Sequence, residues 1–110
     1  MANLPKTYQR FKKLHPKVWR AYERLGATAA ESGPLDAKTR ELIKLGMAAA
    51  LRGESAVKSH THRALAVGAS NEEIIHAILL GITTIGFPAM MTALSWVQEA
   101  MEADASDNAN

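Results

Sequence analysis

Four histidines, one suggestively placed glutamate and no cysteine frame the chemistry open to this chain. Without a thiol it can form no disulfide, no thiolate metal site and no cysteine nucleophile. Imidazole and carboxylate are then the groups best suited to move protons. His60 and His62 form a His-x-His pair that invites a metal reading. On a helix, at about 100° per residue, the two rings point about 200° apart and cannot grip one ion together, so no metal site is expected. His15 precedes Pro16 at a helix boundary, where a structural or surface role suffices. His76 closely follows a helix start and reads as an exposed or interface residue.

His60 is more informative. If its helix begins as early as Gly53, then Gly53, Ala56, His60 and Ala64 share one face. Small residues around one imidazole leave room, either for close helix packing against a satisfied histidine or for a small pocket with a base at its wall. Periodicity alone favours the packing. Glu41 also has a plain reading, an ion pair with Lys38 or Lys44 along its helix worth about 0.2–0.5 kcal/mol.

The elements that must position these side chains are helices. Tyr8, Phe11, Leu14, Val18, Tyr22 and Leu25 recur every three or four residues, interrupted by Pro16. Proline fits the first turn of a helix and not its interior, which predicts one helix over 5–14 and another over 16–31. Ser32-Gly33-Pro34 is a turn, and Asp36 can cap a third helix that carries Glu41 and runs to about Leu51. A fourth, carrying His60, ends at Gly68. Ser70-Asn71-Glu72-Glu73 is a capping box that starts a fifth helix, and Pro88 opens a last one to about Met101.

Ile74 to Val97 contains no formally charged side chain. A membrane span needs about 20 apolar residues, but His76, four hydroxyl residues and the Gly86-Phe87-Pro88 break divide this stretch into two helices too short to cross. A buried hairpin, with one face on its own core and another on a second subunit, is the better reading. The expected organisation is a basic helical arm over 1–34 packed on the core, a core over 35–102, and a disordered polar tail over 103–110.

The whole-chain charge of +2 conceals an asymmetry. Residues 1–24 hold Lys6, Arg10, Lys12, Lys13, Lys17, Arg20 and Arg24 against Glu23, a net +6, so the remainder carries −4. Clustered cations raise the question of nucleic acid. Aromatics at 5% and the lack of a binding motif argue against it, and the arm is read as a solvated face or a partner for the acidic end. At 110 residues and 47% hydrophobic, the chain has the size and composition of one globular domain with a small core. Its first residues lack the apolar run of a secretory signal, so a cytoplasmic setting is expected by default.

Four segments together resemble the carboxymuconolactone decarboxylase and alkylhydroperoxidase D-like family: Leu35 through Glu41-Leu42-Ile43, His60-x3-Ala64-x3-Gly68-Ala69, Asn71-Glu72-Glu73-Ile74, and Gly86-Phe87-Pro88-Ala89. The resemblance covers about residues 5–102, with the segments in the family's order and spacing. It implies an all-α, single-domain bundle of about six helices that assembles as a homotrimer or homohexamer, with its pocket near a subunit interface. In the peroxidase branch a Cys-x-x-Cys-x3-His segment supplies a redox pair and a glutamate on the preceding helix relays protons. Carried over by position, Glu41 matches that glutamate, His60 the histidine, and Gly53 and Ala56 the two cysteines. Ser55 stands where some members, including decarboxylases, carry a further histidine.

The resemblance therefore implies a cysteine-less member: a cofactor-free acid/base lyase or isomerase acting on a small carboxylated or lactone compound. Glu41 and His60 are then catalytic, and Lys44, Arg52 and Ser55 bind substrate. The alternative is a non-catalytic oligomeric binding protein of the same fold, or a protein that is peroxidase-like by kinship but lacks the redox cysteines. None of these readings calls for a cofactor, a nucleic acid or a membrane.

Overall fold

Pro16 divides the basic segment as its chemistry requires. In the computed structural model, which describes residues 5–109, α1 spans Lys6–Leu14 and α2 spans Pro16–Ala30, with Pro16 in the first turn of α2. Residues 1–4 of the expected arm and residue 110 of the expected tail lie outside the described residues. The chain continues through α3 (Ala37–Ala50), α4 (Glu54–Ala66), α5 (Asn71–Leu79), a 3₁₀ turn (Leu80–Thr83) and α6 (Phe87–Ala109). The described residues contain six α-helices and no strand, the all-helical architecture that the hydrophobic period predicts.

Local chemistry sets most of the boundaries. Asp36 accepts a hydrogen bond from the Thr39 amide at 2.8 Å and so caps α3. The capping box at α5 is complete: the Glu73 amide donates to Ser70 Oγ at 3.0 Å, and the Ser70 amide donates to the Glu73 carboxylate at 2.9 Å. Lys38 of α3 adds an ion pair to that carboxylate at 3.0 Å, tying the start of α5 to α3. Gly68 takes φ +97° after α4, and the Ala69 amide reaches back to the Ala64 carbonyl at 2.9 Å. The same kind of cap ends α3, where the Gly53 amide donates to the Ala48 carbonyl at 3.1 Å. There the left-handed residue is Arg52, at φ 56°, in a place that glycine fills at lower steric cost.

The core lies among α3, α4, α5 and α6. Leu45, Val57, Ile74, Ile78, Met90 and Val97 are its large members. Ala48, Ala49, Ala64 and Ala93 pack between them and let the helices approach closely. Thr61, buried within α4, donates to the Val57 carbonyl at 2.8 Å, which satisfies its hydroxyl.

At both ends the structure departs from expectation. The arm closes on itself rather than burying its apolar face on the core: Trp19 stacks obliquely with Tyr8, Phe11 and Tyr22, and neither α1 nor α2 buries a residue. Leu14 and Leu25 remain 66% and 67% exposed. Residues 103–109, expected to be disordered, continue α6. They contain neither glycine nor proline, and Asp104 has a partner on α4 in His62 and another one turn on in Asn108. The uncharged stretch divides at Gly86, φ +92°, into the α5 side and the start of α6. Among the described residues no helix is long and apolar enough to cross a membrane.

Candidate functional site

The tight turn at Leu51-Arg52-Gly53 folds α4 back along α3, bringing the middle of α4 against the first half of α3. Leu45 and Val57, both fully buried, hold the two helices together beyond the turn. Glu41 and His60 meet on this interface, Glu41 Oε1 lying 2.8 Å from His60 Nδ1. Their side chains are 16% and 18% exposed, so the bond is largely screened from bulk water.

This bond fixes the protonation pattern. The hydrogen bond from His60 holds the Glu41 carboxyl below the usual carboxylate range. Burial opposes the shift, and the charges of His60, Lys44 and Arg63 reinforce it. Glu41 is therefore an acceptor near neutral pH, and Nδ1–H of His60 donates to it. The second ring nitrogen, Nε2, is left to take up or release a proton.

The sequence leaves open whether these residues line a gap or touch, and they touch. His62 turns the other way, as the helical angle requires. Its Nδ1 lies 3.4 Å from Asp104 Oδ1 on α6, with side-chain exposures of 15% and 19%. The two rings of the His-x-His pair thus serve different carboxylates on different helices. Among the described residues no group of three or more His, Cys, Asp or Glu side chains could hold a metal ion.

The other expected site residues are spread along the hairpin. Lys44, one turn beyond Glu41, contributes to its electrostatics and reaches a cavity of about 270 Å³ between the end of α2 and α3. Arg52 follows Glu41 by eleven residues, lies beyond the end of α3, and lines a separate cavity of about 140 Å³ with Trp96, Thr92 and Pro88. Ser55 is exposed in the first turn of α4. Gly53 is the N-cap of α4 and Ala56 packs at the edge of the core. A Cβ on Gly53 would lie 3.5 Å from the Ala56 Cβ, so these two positions are side-chain neighbours.

Two contributors escape the sequence reading. Arg63 stands three residues after His60 on α4, a spacing that could have revealed its electrostatic effect on Glu41. Asp104 is 42 residues from His62, and no local pattern connects them.

Known proteins share this arrangement of helices. An uncharacterized protein of Haemophilus influenzae is 44% identical over 63 residues, 57% of this chain and 56% of that protein. The match thus spans little more than half of that relative's length. The crystal structure of a carboxymuconolactone decarboxylase family protein from Legionella pneumophila superimposes with a TM-score of 0.77 at 25% identity, covering 87% of this chain and 86% of that one. A family protein from Thermotoga maritima gives 0.68 at 26% identity, covering 94% and 96%. Residues 16–99, which contain both Glu41 and His60, match the family itself, and the chain therefore belongs to the carboxymuconolactone decarboxylase family.

Proposed function

We propose that this protein is a cofactor-free acid/base catalyst, of lyase or isomerase type, acting on a small carboxylated or lactone compound. The observation that carries the reading is the 2.8 Å bond between Glu41 and His60. The carboxylate fixes the tautomer and orientation of the ring and stabilises the imidazolium that forms when Nε2 takes a proton. In an isomerisation, Nε2 removes a proton from one carbon and returns it to another. In a decarboxylation, the bond to the departing carbon dioxide breaks, its electron pair stays on the adjacent carbon, and Nε2, protonated beforehand from solvent, delivers the proton that quenches it. Lys44, Arg52 and Ser55 are proposed for substrate contact, Lys44 having the best claim because it stands one turn from Glu41.

The test is turnover of a panel of carboxylated lactones and related acids, followed by release of carbon dioxide and by change of absorbance. Glu41→Gln and His60→Ala should each lower turnover at least about tenfold, in keeping with the contribution of positioned acids and bases. Helical content and molecular mass should stay unchanged. Unaltered turnover in both variants would overturn the reading.

One observation favours a second reading, a non-catalytic oligomeric binding protein. Glu41 and His60 satisfy each other without a gap between them, as a purely structural pair also would. On that account a ligand binds and leaves unchanged. A role in antioxidative response has been suggested for the Thermotoga relative. This sequence lacks cysteine, so direct peroxide reduction through a protein disulfide is closed to it and a thiol-dependent peroxidase assay should read zero. A homotrimer or homohexamer is the proposed assembly, supported by the apolar surface that the single chain leaves open, and a cytoplasmic setting suits a chain without thiols.

A further inference from the structure

We propose that the trough between the C-terminal end of α2 and the first half of α3 binds a small apolar monocarboxylic acid, with Arg40 and Lys44 holding its carboxylate. The identification of this acid as the substrate rests on the acid/base reading of Glu41 and His60, whereas its binding does not. The trough is open to one side and holds about 270 Å³, just below the range usual for small-molecule sites. Its body is apolar: Ala29 and Ala30 from α2, Pro34 and Leu35 from the turn, and Ile43 and Met47 from α3. Leu35, Ile43 and Met47 are exposed large hydrophobics that an apolar occupant would cover.

The two cations stand on the same wall. Arg40 and Lys44 are one turn apart and separated by about 40° around α3, with Ile43 and Met47 flanking them. Arg40 Nη1 donates to the Leu35 carbonyl at 2.8 Å, which fixes the guanidinium at the rim and leaves its other N–H groups available. Lys44 makes no hydrogen bond or ion pair among the described residues. The nearby anions are already engaged. Asp36, which feels the charge of Arg40, accepts from the Thr39 amide, and Glu41, which feels Lys44, accepts from His60. A trough with apolar walls and two cations on one side, neither in an ion pair among the described residues, matches a ligand with an apolar body and one carboxylate.

The same helical geometry links the trough to the dyad. Glu41 lies about 60° around α3 from Lys44 and one turn before it. Lys44 therefore lines the trough and also acts on Glu41 through its charge, while Glu41 and His60 themselves do not line the trough. This gives the proposed reaction a substrate class, a compact apolar acid, and a residue inside the family-like Leu35–Ile43 segment to which the resemblance assigns no role, Arg40.

Titration calorimetry of the purified full chain with cyclohexanecarboxylate and with its neutral counterpart cyclohexylmethanol tests the site. The acid should bind at least about tenfold more tightly than the alcohol, the order expected when a charged hydrogen bond is lost. Arg40→Gln and Lys44→Met should each weaken the acid about tenfold and leave the alcohol unchanged. Met47→Trp, which fills the trough, should abolish both, with helical content and mass monitored throughout. Equal affinity for acid and alcohol, or an acid affinity that neither cation variant lowers, would overturn the inference even if turnover is found elsewhere. So would a variant that alters the oligomer in place of acid binding, since that face would then be a subunit contact. Acid binding that survives in His60→Ala supports the site, and if the wild-type protein binds acids at this trough but converts none, it is the catalytic reading that fails.

Discussion

Glu41 is the side chain on which the proposed chemistry depends, and its electrostatics have a consequence in folding. Its carboxyl lies below the ordinary value of about 4.3 chiefly because His60 donates to it. A carboxyl depressed in the folded state binds fewer protons there than in the unfolded chain, so stability rises with pH through this range. Its contribution is fully present above the unfolded value and is lost as pH falls through the folded one. Asp36 and Glu73 are depressed as well, by the Thr39 side-chain interaction and by the Ser70 amide respectively. The informative quantity is therefore the difference between wild type and Glu41→Gln. Thermal melts between pH 7 and pH 3 should show the wild-type advantage shrinking below about pH 4.3. A difference that stays flat or grows on acidification would mean that the bond to His60 does not stabilise the carboxylate.

At the scale of elements, the α3–α4 hairpin contains a test of the two positions, Gly53 and Ala56, where the peroxidase branch is expected to carry its cysteines. Gly53 has φ −93° and ψ 96°, an extended conformation open to any side chain, and its added Cβ would lie 3.5 Å from that of Ala56. Disulfide-bonded residues have Cβ separations of about 3.5–4.5 Å. The double substitution Gly53→Cys with Ala56→Cys should therefore form an intramolecular disulfide on mild oxidation, seen as a loss of both titratable thiols with no increase in molecular mass. Persistent thiols, or disulfide-linked dimers only, would show that the two positions do not face each other.

This hairpin also shows how far local signals reach. Pro16, Asp36, Gly68 and the Ser70/Glu73 box are contacts between near neighbours in sequence, and the helices begin and end where these residues indicate. The Glu41–His60 pairing was legible through the family pattern, but the 2.8 Å contact was not, because periodicity cannot give the distance between two helices. Arg52 as a left-handed residue was unreadable for a related reason: the usual signal at such a cap is glycine, and the next residue, Gly53, takes the N-cap of α4 instead. In the helical tail Asp104 meets His62, 42 residues away, a contact that exists only once α4 and α6 have packed.

Across the whole molecule, the buried core is supplied by α3 to α6 and their connections, while large apolar side chains remain outside it on two surfaces besides the trough between α2 and α3. One is the arm, whose apolar face is open and whose net charge is opposite in sign to that of the rest of the chain. The other follows the break between α5 and α6, where Leu80 is 62% and Phe87 58% exposed, with Leu79, Ile82 and Met91 also open. Large contiguous apolar surface is uncommon on a soluble monomer and marks contact with a partner. Because this second surface is formed by the uncharged segment, covering it by another copy of the chain would bury apolar area without leaving a charge unpaired. Leu80→Lys combined with Phe87→Lys places two charges on that surface and should reduce the proposed assembly toward monomer in light scattering while retaining the helical spectrum. An unchanged mass would remove this face from the interface and shift the burden of assembly to the arm, where Leu14→Lys with Leu25→Lys should then dissociate it.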